Sequence, residues 1–565
     1  MAAFSVSFAD QLKLAYRYGQ FKIRQSRQRT NQKVETTTTY GRVRGVKWKS
    51  VYGAEYYSFE GIPYAKPPLG DLRFRAPREP DPWTDVRKCT RVRAKPTQMN
   101  FVIGMVQGSE DCLYLNVFTK NLNPLNPLPV LVWIFGGAFQ IGEASRDIYS
   151  PDYIMQEDVM LVTISYRLGP MGFMSFSDPD VGIPGNAALK DQIMALKWVK
   201  NNCCFFGGDP SNITVFGESA GGCSTHYMML TEQTKGLFHK GIVMSGSAVA
   251  PWAIIPPNNW SYRLAKSAGY TGENKDKDVY EFLTKLKPSV MYKHSENLLT
   301  KEERHNRISY CFGPVIEPYV SEESVIIKNP VEMMRESWSN AIPLIIGGNS
   351  FEGLLMFAEA RKFPDLVEEL GDCEKVVPFD LPLSPEERKQ FGLKIKETYF
   401  GDAESCLKNL LQYSDIFSYK YFWHGIHRTI LSRSEYATAP TYVYRFDFDS
   451  KHFNHVRNFS CGRKIRGTCH GDDLSYLFYN GIAKKLSHQS REYKTIRTMV
   501  SLWTQFAATG DPNVSDKSDV KWKQIERNGK LFQCLNISDN LEMIDFPESK
   551  KLELWDSMYP RELLY

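Results

Sequence analysis

Short apolar runs and longer amphipathic stretches alternate along the chain from about residue 40 onward. Runs rich in β-branched and aromatic side chains, bounded by glycine, proline and polar residues, predict strands. The predicted strands are YYSFEGIPYA, CLYLNVFT, PVLVWIFGG, VMLVTISYR, ITVFG, KGIVMSG, IPLIIGG and TYVYRFDF. Several of these runs are apolar almost throughout, as expected for a largely parallel sheet that helices cover on both faces.

Helical periodicity occurs between many of these runs and predicts helices over NAALKDQIMALKWVKNN and SREYKTIRTMVSLWTQFAATG. The repeated order strand, helix, strand predicts an α/β fold with a large, mostly parallel central sheet. Charged regions near residues 265 to 305 and 360 to 410 are interpreted as helical insertions. The length alone would allow three or four domains, but the sequence shows no internal repeat and no Pro/Gly-rich linker that would separate them.

The N-terminal segment, residues 1–35, has the pattern of a basic amphipathic helix. Apolar positions recur at helical spacing, and basic positions recur on another face. The apolar set is Phe8, Leu12, Ala15, Tyr16 and Ile23, and the basic set is Lys13, Arg17, Arg24 and Arg27. Such a helix can make peripheral contact with a membrane or a lipid droplet. The alternatives are a helix packed on the protein body and a partly ordered tail.

Composition narrows the classes of function. Of the 565 residues, 42% are apolar and 13% aromatic, which is typical of a soluble globular protein. The formal net charge of +6 is small for this length, so no nucleic acid is expected as a partner. No apolar run approaches the ~20 residues of a spanning helix, and the first residues lack the apolar core of a signal peptide. A cytoplasmic location is therefore expected.

Neither a metal nor a cofactor is expected. The eleven cysteines form no evident disulfide framework and show no CxxC metal spacing. Gly137 and Gly142 in GGAFQIGE resemble the start of a phosphate-binding loop, but Glu143 stands where that loop needs its lysine. The sequence also lacks GxGxxG and HExxH motifs.

The stretch ITVFGESAGGCSTHYMML carries the candidate nucleophile. Gly217, Ser219 and Gly221 form the pattern GxSxG between a predicted strand and a predicted helix. In that context the pattern indicates a nucleophile elbow, a tight turn that lifts the serine hydroxyl above the sheet. The flanking glycines allow strand and helix to approach closely, and the helix directs its N-terminal amides at the reacting centre.

A serine hydroxyl is a weak nucleophile and needs a base, which an acid must orient. His470 in RGTCHGDDLSYLF lies in a polar loop after a predicted strand, where catalytic groups gather. Glu352 in IPLIIGGNSFEG follows another apolar strand. Together with Ser219 they give the chain order Ser, Glu, His that α/β-hydrolases use.

Three other histidines are not expected to act as the base. His226 is seven residues beyond Ser219, so on one helix the two would be about 10 Å apart along the axis. His424 and His427 lie in the aromatic stretch YKYFWHGIHRTI. Since no third ligand has matching spacing, we interpret them as packing or pocket residues rather than a metal pair.

Many segments in collinear order resemble the type-B carboxylesterases of the carboxylesterase and cholinesterase group, and among them the intracellular insect α-esterases. They are FEGIPYAKPPLGDLRF, SEDCLYLNVF, YRLGPMGF, GNAALKDQIMALKWVKNN, FGGDPSNITVFGESAGG, FHKGIVMSGS and HGDDLSYLF. The resemblance covers nearly the whole chain from about residue 38. It implies an α/β-hydrolase fold in which residues 36–565 form a single catalytic domain.

By this resemblance, Ser219 attacks an ester carbonyl, His470 transfers the proton and Glu352 orients the imidazole. The resemblance also implies an acyl-enzyme intermediate that water then hydrolyses. Small-molecule carboxyl esters are the implied substrates, with xenobiotic detoxification as the implied role. The enzyme is expected to be a monomer or a homodimer.

The resemblance places the oxyanion hole at the backbone amides of Gly137, Ala138 and Ala220. Relatives usually carry HGGG or YGGG after the strand VLVWI, whereas this chain reads FGGA from Phe135. Alanine keeps the N–H donor, but it adds strain if the loop requires a positive φ at Ala138. Losing one good donor can cost on the order of a hundredfold in turnover. We therefore expect slower or narrower catalysis than in an HGGG enzyme.

The acyl pocket is expected to be aromatic. The resemblance implies that Trp252 in SAVAPWA lines it, and further pocket candidates are Tyr310, Phe312, Tyr421 and Phe422. An aromatic cleft suits apolar carboxyl esters.

Cys89 and Cys112 flank a loop that resembles the disulfide loop of the family. That loop lacks the tryptophan with which cholinesterases bind choline, so choline esters are disfavoured. In an intracellular chain the two cysteines can also stay reduced, and the sequence leaves their pairing open.

Two further interpretations stay open at this stage. One is a catalytically inactive cholinesterase-like protein that serves in binding or adhesion. The other is an esterase that turns over slowly and sequesters or slowly hydrolyses organophosphates on its serine.

Overall fold

The computed structural model describes residues 8–100, 104–305, 308–368, 373–378, 381–402, 409–513, 520–529 and 532–565. Its strands are β1 Arg29–Thr38, β2 Gly41–Lys49, β3 Glu55–Pro63, β4 Arg87–Lys88, β5 Gln98–Asn100, β6 Met105–Gln107, β7 Tyr114–Thr119, β8 Leu128–Ile134, β9 Met160–Ile164, β10 Gly208–Glu218, β11 Lys240–Met244, β12 Leu344–Asn349, β13 Thr441–Phe446, β14 Gln533–Ile537 and β15 Leu541–Asp545.

The helices are α1 Phe8–Gln28, α2 Gly169–Phe173, α3 Ala187–Asn202, α4 Ala220–Leu230, α5 Trp260–Ser267, α6 Asp276–Lys285, α7 Pro288–Ser295, α8 Lys301–His305, α9 Pro330–Arg335, α10 Phe357–Lys362, α11 Asp365–Glu368, α12 Pro385–Phe400, α13 Leu410–Ser418, α14 His424–Tyr436, α15 His455–Ser460, α16 Arg491–Thr509, α17 Ser549–Asp556 and α18 Arg561–Leu564. A π-helical turn, Tyr419–Trp423, joins α13 directly to α14.

A 13-stranded sheet has the order β1-β2-β3-β7-β9-β8-β10-β11-β12-β13-β14-β15, with β4 beside β2. The pairs from β9 through β14 are parallel, and the remaining pairs along the sheet, at its two ends, are antiparallel. Every residue of β9, β11 and β12 is buried, as expected for parallel strands covered by helices. The predicted large, mostly parallel α/β sheet is confirmed.

Each of the eight apolar runs contains a strand of this sheet, and both amphipathic stretches are helices, α3 and α16. These two helices and α4 pack against the central strands. The charged regions interpreted as insertions contain α5 to α8 and α10 to α12. Because the central strands are parallel, the loops after β8, β10 and β12 emerge at one edge of the sheet, where ligands of open α/β sheets bind.

The described part of the N-terminal segment starts with α1, and the sheet begins inside residues 1–35, at Arg29. Helix α1 packs on the protein through Phe21, whose ring lies 5.6 Å from that of Tyr479, and through Arg24, which donates to the carbonyl of Ala483. Tyr16 is 69% exposed and Ile23 48% exposed. The expected apolar face at these two positions is therefore directed outward. Phe8 and Leu12 belong to α1, but their side chains lie outside the described residues.

Cys89 and Cys112 are both buried free thiols. Burial raises the pKa of the Cys89 thiol to about 12, which keeps it protonated and unreactive at neutral pH. Within the described part of the chain, no helix is long and apolar enough to cross a bilayer.

Candidate active site

Ser219 occupies a sharp turn between β10 and α4. Its backbone has φ +59° and ψ −124°, a strained conformation for a residue with a Cβ. A Cβ on Gly221 would lie 2.0 Å from the carbonyl oxygen of Ile134, and one on Gly217 would lie 2.4 Å from the carbonyl oxygen of Gly221. Only glycine fits at both flanking positions, and Ser219 itself remains half-buried at the sheet edge.

His470 and Glu352 meet at this edge. The Nδ1 atom of His470 lies 2.6 Å from Oε2 of Glu352. The other oxygen of Glu352 accepts hydrogen bonds from the amide of Asn349 and the hydroxyl of Ser245, at 2.6 and 2.5 Å. Since a carboxylate only accepts, Nδ1 carries the proton in this pair. Nε2 of His470 is then the nitrogen left to exchange a proton with a substrate or a serine.

The loop that holds His470 is fixed by the two aspartates that come after it. Asp472 accepts backbone hydrogen bonds from Val456, Arg457 and Cys469. Asp473 accepts from Asn349 at 3.2 Å and from the hydroxyl of Tyr444 at 3.3 Å.

Burial raises the pKa of both aspartates, to about 7 and about 6. Sequence reasoning assigned these residues no role, although they stand directly after the predicted base. Their hydrogen bonds show that they position its loop.

Glu218 is a third carboxylate beside the imidazole, and sequence reasoning missed it. Its Oε1 lies 3.2 Å from Nε2 of His470, close enough for an ion pair but not aligned as a hydrogen bond. Burial raises the pKa of Glu218 to about 8. Burial also opposes the charge on His470, but Glu218 and Glu352 outweigh it and raise the pKa of His470 to about 9. The pair therefore retains at least one proton at neutral pH. The sequence could have indicated this carboxylate, because Glu218 stands directly before Ser219 in GESAG.

The loop after β8 crosses directly over this serine. A Cβ on Gly136 would lie 2.9 Å from the Cβ of Ser219. Gly137 and Ala138 follow with φ +118° and +54°, so the positive φ considered at Ala138 is present. The amides of both residues make no hydrogen bond within the described chain. These two amides and that of Ala220, at the start of α4, are the donors that the sequence predicts for a developing oxyanion.

Alanine in the left-handed region costs roughly 1–2 kcal/mol relative to the right-handed region, and Phe139 is also left-handed, at φ +59°. Several contacts fix this conformation. The amides of Gln140 and Ile141 both donate to the carbonyl of Gly137 at 3.0 Å. The amide of Gly169 donates to the carbonyl of Phe139 at 2.8 Å. The side-chain amide of Gln140 donates to the carbonyl of Ala138 at 3.3 Å.

Four of the five predicted pocket residues belong to one aromatic cluster beside His470. The ring centroid of Phe422 lies 4.2 Å from that of His470, and the ring of Trp252 lies 6.3 Å from Phe422. The hydroxyl of Tyr310 donates to the carbonyl of Trp252. Phe139, which sequence reasoning missed, links the cluster to the loop after β8 with centroid distances of 6.3 Å to Trp252 and 6.4 Å to Tyr310.

Two of the predicted pocket residues, Phe312 and Tyr421, contribute backbone carbonyls. The carbonyl of Phe312 accepts a hydrogen bond from the side chain of Gln140 at 2.5 Å. The carbonyl of Tyr421 accepts from the indole of Trp252 at 2.8 Å. Tyr421 lies within the π-helical turn, a feature that often occurs at functional sites, and its ring lies edge-on to that of Phe422 with the centroids 6.4 Å apart.

The three other histidines considered in the sequence have structural partners. Nδ1 of His226 accepts the amide of Ala248 at 3.0 Å, and burial lowers the pKa of His226 to about 3. His424 and His427 both contact the carboxylate of Asp556 through Nε2, at 3.1 and 3.0 Å, which fastens α14 to α17. Among the residues that the structure describes, no group of three or more His, Cys, Asp or Glu side chains suits a metal ion.

Comparison with known proteins finds relatives over most of the chain. A sequence model of the Carboxylesterase family matches residues 31–555. The chain is 39% identical over 531 residues to Esterase B1 of Culex pipiens, covering 94% of this chain and 98% of that protein. It is 31% identical over 515 residues to juvenile hormone esterase of Tribolium castaneum, covering 86% and 85%.

Solved structures show the same fold. Juvenile hormone esterase from Manduca sexta, with OTFP covalently attached, superposes with a TM-score of 0.82 at 26% identity, covering 94% of this chain and all of that one. A PNB esterase superposes with a TM-score of 0.72 at 28% identity, covering 92% and 99%.

Proposed function

The chain belongs to the carboxylesterase family, and on that premise we propose that it hydrolyses apolar carboxylic esters through an acyl-enzyme on Ser219. Carboxylic ester hydrolysis itself follows from the family and from its close relatives. The observation that carries the finer proposal is the 2.6 Å contact between His470 and Glu352 at the sheet edge that also holds the Ser219 turn.

In the first half of the reaction, Nε2 of His470 accepts the hydroxyl proton of Ser219 as the serine oxygen bonds to the ester carbonyl carbon. The carbonyl π electrons move to its oxygen, and the amides of Gly137, Ala138 and Ala220 stabilise that charge. The imidazolium, held by Glu352, then protonates the leaving alcohol as the bond from carbon to alcohol oxygen breaks. The acyl group remains on the serine.

In the second half, His470 takes a proton from water while the water oxygen attacks the acyl carbon. The tetrahedral oxyanion uses the same three amides. Collapse breaks the bond to Ser219, which receives its proton back from His470, and the carboxylic acid leaves. The base must lose its proton before each attack, so the raised pKa of His470 predicts activity that increases with pH through the neutral range.

The aromatic cluster supports an apolar acyl group. Trp252, Tyr310, Phe422 and Phe139 surround the space beside His470 with buried rings. Burial of apolar acyl surface against them contributes about 25 cal/mol per Å², whereas a charged acyl group would lose its hydration without a partner. We therefore propose small apolar carboxyl esters, including xenobiotic esters, as substrates.

The test is hydrolysis of 1-naphthyl acetate or 4-nitrophenyl butyrate by the wild type and by Ser219→Ala, recorded through the burst and the steady state. A burst followed by sustained turnover, both absent in Ser219→Ala, is the expected result. Activity that survives Ser219→Ala would refute the acyl-enzyme on this serine. A properly folded wild type with no serine-dependent signal on a panel of esters would favour the catalytically inactive binding protein.

Sequestration or slow hydrolysis of organophosphates is a second proposed function, and the strained Ala138 favours it. Ser219 would displace the leaving group from phosphorus as it displaces alcohol from carbon. The subsequent attack by water requires an oxyanion hole that fits a phosphoryl oxygen, and a strained donor with an added methyl group slows that step. A dialkyl 4-nitrophenyl phosphate should release one nitrophenolate per Ser219 rapidly and further nitrophenolate slowly. Rapid continuous release would contradict sequestration.

We also propose that the enzyme is cytoplasmic and contacts membranes or lipid droplets peripherally through α1. The support is the outward direction of Tyr16 and Ile23 on a basic helix. Flotation with phosphatidylcholine vesicles or triacylglycerol droplets tests this, because Tyr16→Glu with Ile23→Glu should abolish co-flotation without affecting hydrolysis. Light scattering during gel filtration distinguishes the proposed monomer from the homodimer.

A further inference from the structure

A basic groove lies between α1 and the first two strands, far from the ester site. It has a volume of about 550 Å³, within the range of sites that hold small organic ligands. Its lining comprises Lys22, Gln25, Ser26, Arg29, Thr30, Asn31, Lys33, Val46 and Trp48. The groove residues on β2 are five strands from β10 in the sheet order, which is roughly 24 Å at the usual strand spacing.

The charged side chains that line the groove are all positive, because the lining includes three cations and no acidic side chain. Lys22 forms an ion pair with Asp147 at 2.7 Å. Arg29 and Lys33 have no acidic partner among the described residues, and the guanidinium of Arg29 makes only one long hydrogen bond there, 3.4 Å, to the carbonyl of Thr90. Two cationic groups beside one cavity favour a ligand that carries negative charge.

Gln25 provides an independent indication of a ligand. Its side chain is only 9% exposed, and its Nε2 has no hydrogen-bond partner within the described chain. A buried donor without a partner is costly, so such a group usually has one. Gln25 lines the groove, and rotation of its side-chain amide toward an oxyanion bound between Arg29 and Lys33 would supply the missing acceptor.

The floor of the groove is apolar. Val46 and Trp48 are both nearly buried, at the base of the strand pair. The guanidinium of Arg146 stacks on Trp48, 4.0 Å from the ring centroid, which fixes that ring. Such a floor suits an aromatic or aliphatic group attached to the anion, and a bare inorganic ion would leave most of the volume unfilled.

We propose that this groove is an accessory binding site for a phosphate monoester with an apolar body. The phosphate oxygens accept hydrogen bonds from Gln25, Arg29 and Lys33, and the apolar body lies on Val46 and Trp48. A phosphate dianion matches two unpaired cations and an unpartnered amide better than a carboxylate does. The same chemistry is present in a soluble phosphate monoester and in the head group of phosphatidic acid.

The test is calorimetric titration of the full chain with 1-naphthyl phosphate at low salt, after Ser219 has been blocked with a dialkyl 4-nitrophenyl phosphate. Saturable binding that weakens with salt is expected. Arg29→Glu, Lys33→Glu and Gln25→Leu should each weaken it by about tenfold or more. Lys550→Glu, an exposed reversal on α17, is the matched control and should bind as the wild type does. Ester hydrolysis should remain unchanged in all four variants.

Vesicles distinguish the two sources of the phosphate. If the head group is the ligand, adding phosphatidic acid to phosphatidylcholine vesicles recruits the protein, and Lys33→Glu abolishes that increment while leaving any phosphatidylcholine binding intact. If the soluble monoester is the ligand, titration succeeds and phosphatidic acid adds nothing. Absence of saturable binding, equal affinity for 1-naphthoate, or unchanged affinity in the three groove variants would overturn the proposal.

Discussion

The turn after β10 and the loop after β8 both hold a residue with a Cβ at positive φ, but different features maintain the two conformations. At Ser219 the flanking glycines let backbone carbonyls approach to distances that no Cβ would allow. At Ala138 the strained residue stands next to another, Phe139, and hydrogen bonds from neighbouring residues hold the loop. Ser219 needs its Cβ to carry the hydroxyl, whereas Ala138 offers only an amide that glycine would supply equally well. The comparison indicates that strain is required at the first position and incidental at the second.

The largest effect is expected from filling the space beside the serine. Gly221→Ala would place a Cβ 2.0 Å from the carbonyl oxygen of Ile134, so strand and helix must separate. We expect a loss of about 3 kcal/mol in the free energy of unfolding and near-complete loss of hydrolysis. Urea denaturation and 1-naphthyl acetate hydrolysis measure these quantities.

The matched control for Gly221→Ala is Gly19→Ala in α1, where an added Cβ has no atom within 4 Å. This variant should be as stable as the wild type or slightly more stable, because alanine favours helix. Equal stability of all three proteins would show that close approach at the turn is unnecessary.

The second-largest effect is expected from replacing Glu218, the acidic residue in the same turn. Glu218 raises the pKa of His470, so Glu218→Gln should lower it. His470 then becomes an unprotonated base at lower pH, and the acid limb of kcat/KM should move down by about one pH unit. A pH-rate profile from pH 5 to 9 measures the shift. An unmoved limb, or one that moves upward, would exclude this influence of Glu218.

A smaller effect is expected where a side chain braces the loop after β8. Gln140→Leu removes the hydrogen bonds to the carbonyls of Ala138 and Phe312, so Ala138 can relax toward ordinary φ values. Turnover should decrease by about threefold to tenfold. In an Ala138→Gly background the same change should cost less, because glycine has little strain to relax. Equal costs in both backgrounds would mean that strain does not drive the loss.

The smallest effect is a gain. Ala138→Gly relieves left-handed strain at φ +54° and removes a methyl group beside the reacting carbon. We expect turnover of 4-nitrophenyl butyrate to rise by about threefold, with a broader range of acyl groups accepted. Stopped-flow and steady-state rates separate acylation from deacylation. Turnover indistinguishable from that of the wild type would contradict the expectation that the FGGA loop slows catalysis.

The central sheet was predictable because its strands are buried on both faces and therefore read as continuous apolar runs. Strands β1 and β2 at one end, RTNQKVETTT and GRVRGVKWK, and β15 at the other carry many polar residues, because they are partly exposed. A search for apolar runs does not detect such strands. The N-terminal helix was predictable in type, but its buried face was not. Phe21 is buried because Tyr479, far away in sequence, packs on it.

The candidate site likewise has one part that the sequence predicts and another that it does not. Chain order and strand ends were enough to select Ser219, Glu352 and His470 for one edge of the sheet. The distance between Glu218 and His470 could not be predicted, because that contact depends on the direction of two side chains after folding. Phe139 was missed for a similar reason, since its place in the aromatic cluster depends on two consecutive left-handed residues. Backbone conformation of this kind is a tertiary property.

The π-helical turn at Tyr419–Trp423 makes chain length, as well as residue type, a determinant of the acyl pocket. It accommodates one residue more than a regular helix would, and its Tyr421 carbonyl holds Trp252. Deleting a single residue there would restore a continuous helix with α13 and α14 still in register, and it would reorient only the side chains of the turn itself. Phe422 would leave His470 without any substitution. Insertions and deletions in this helix are therefore a direct route by which related genes could diversify the esters they accept.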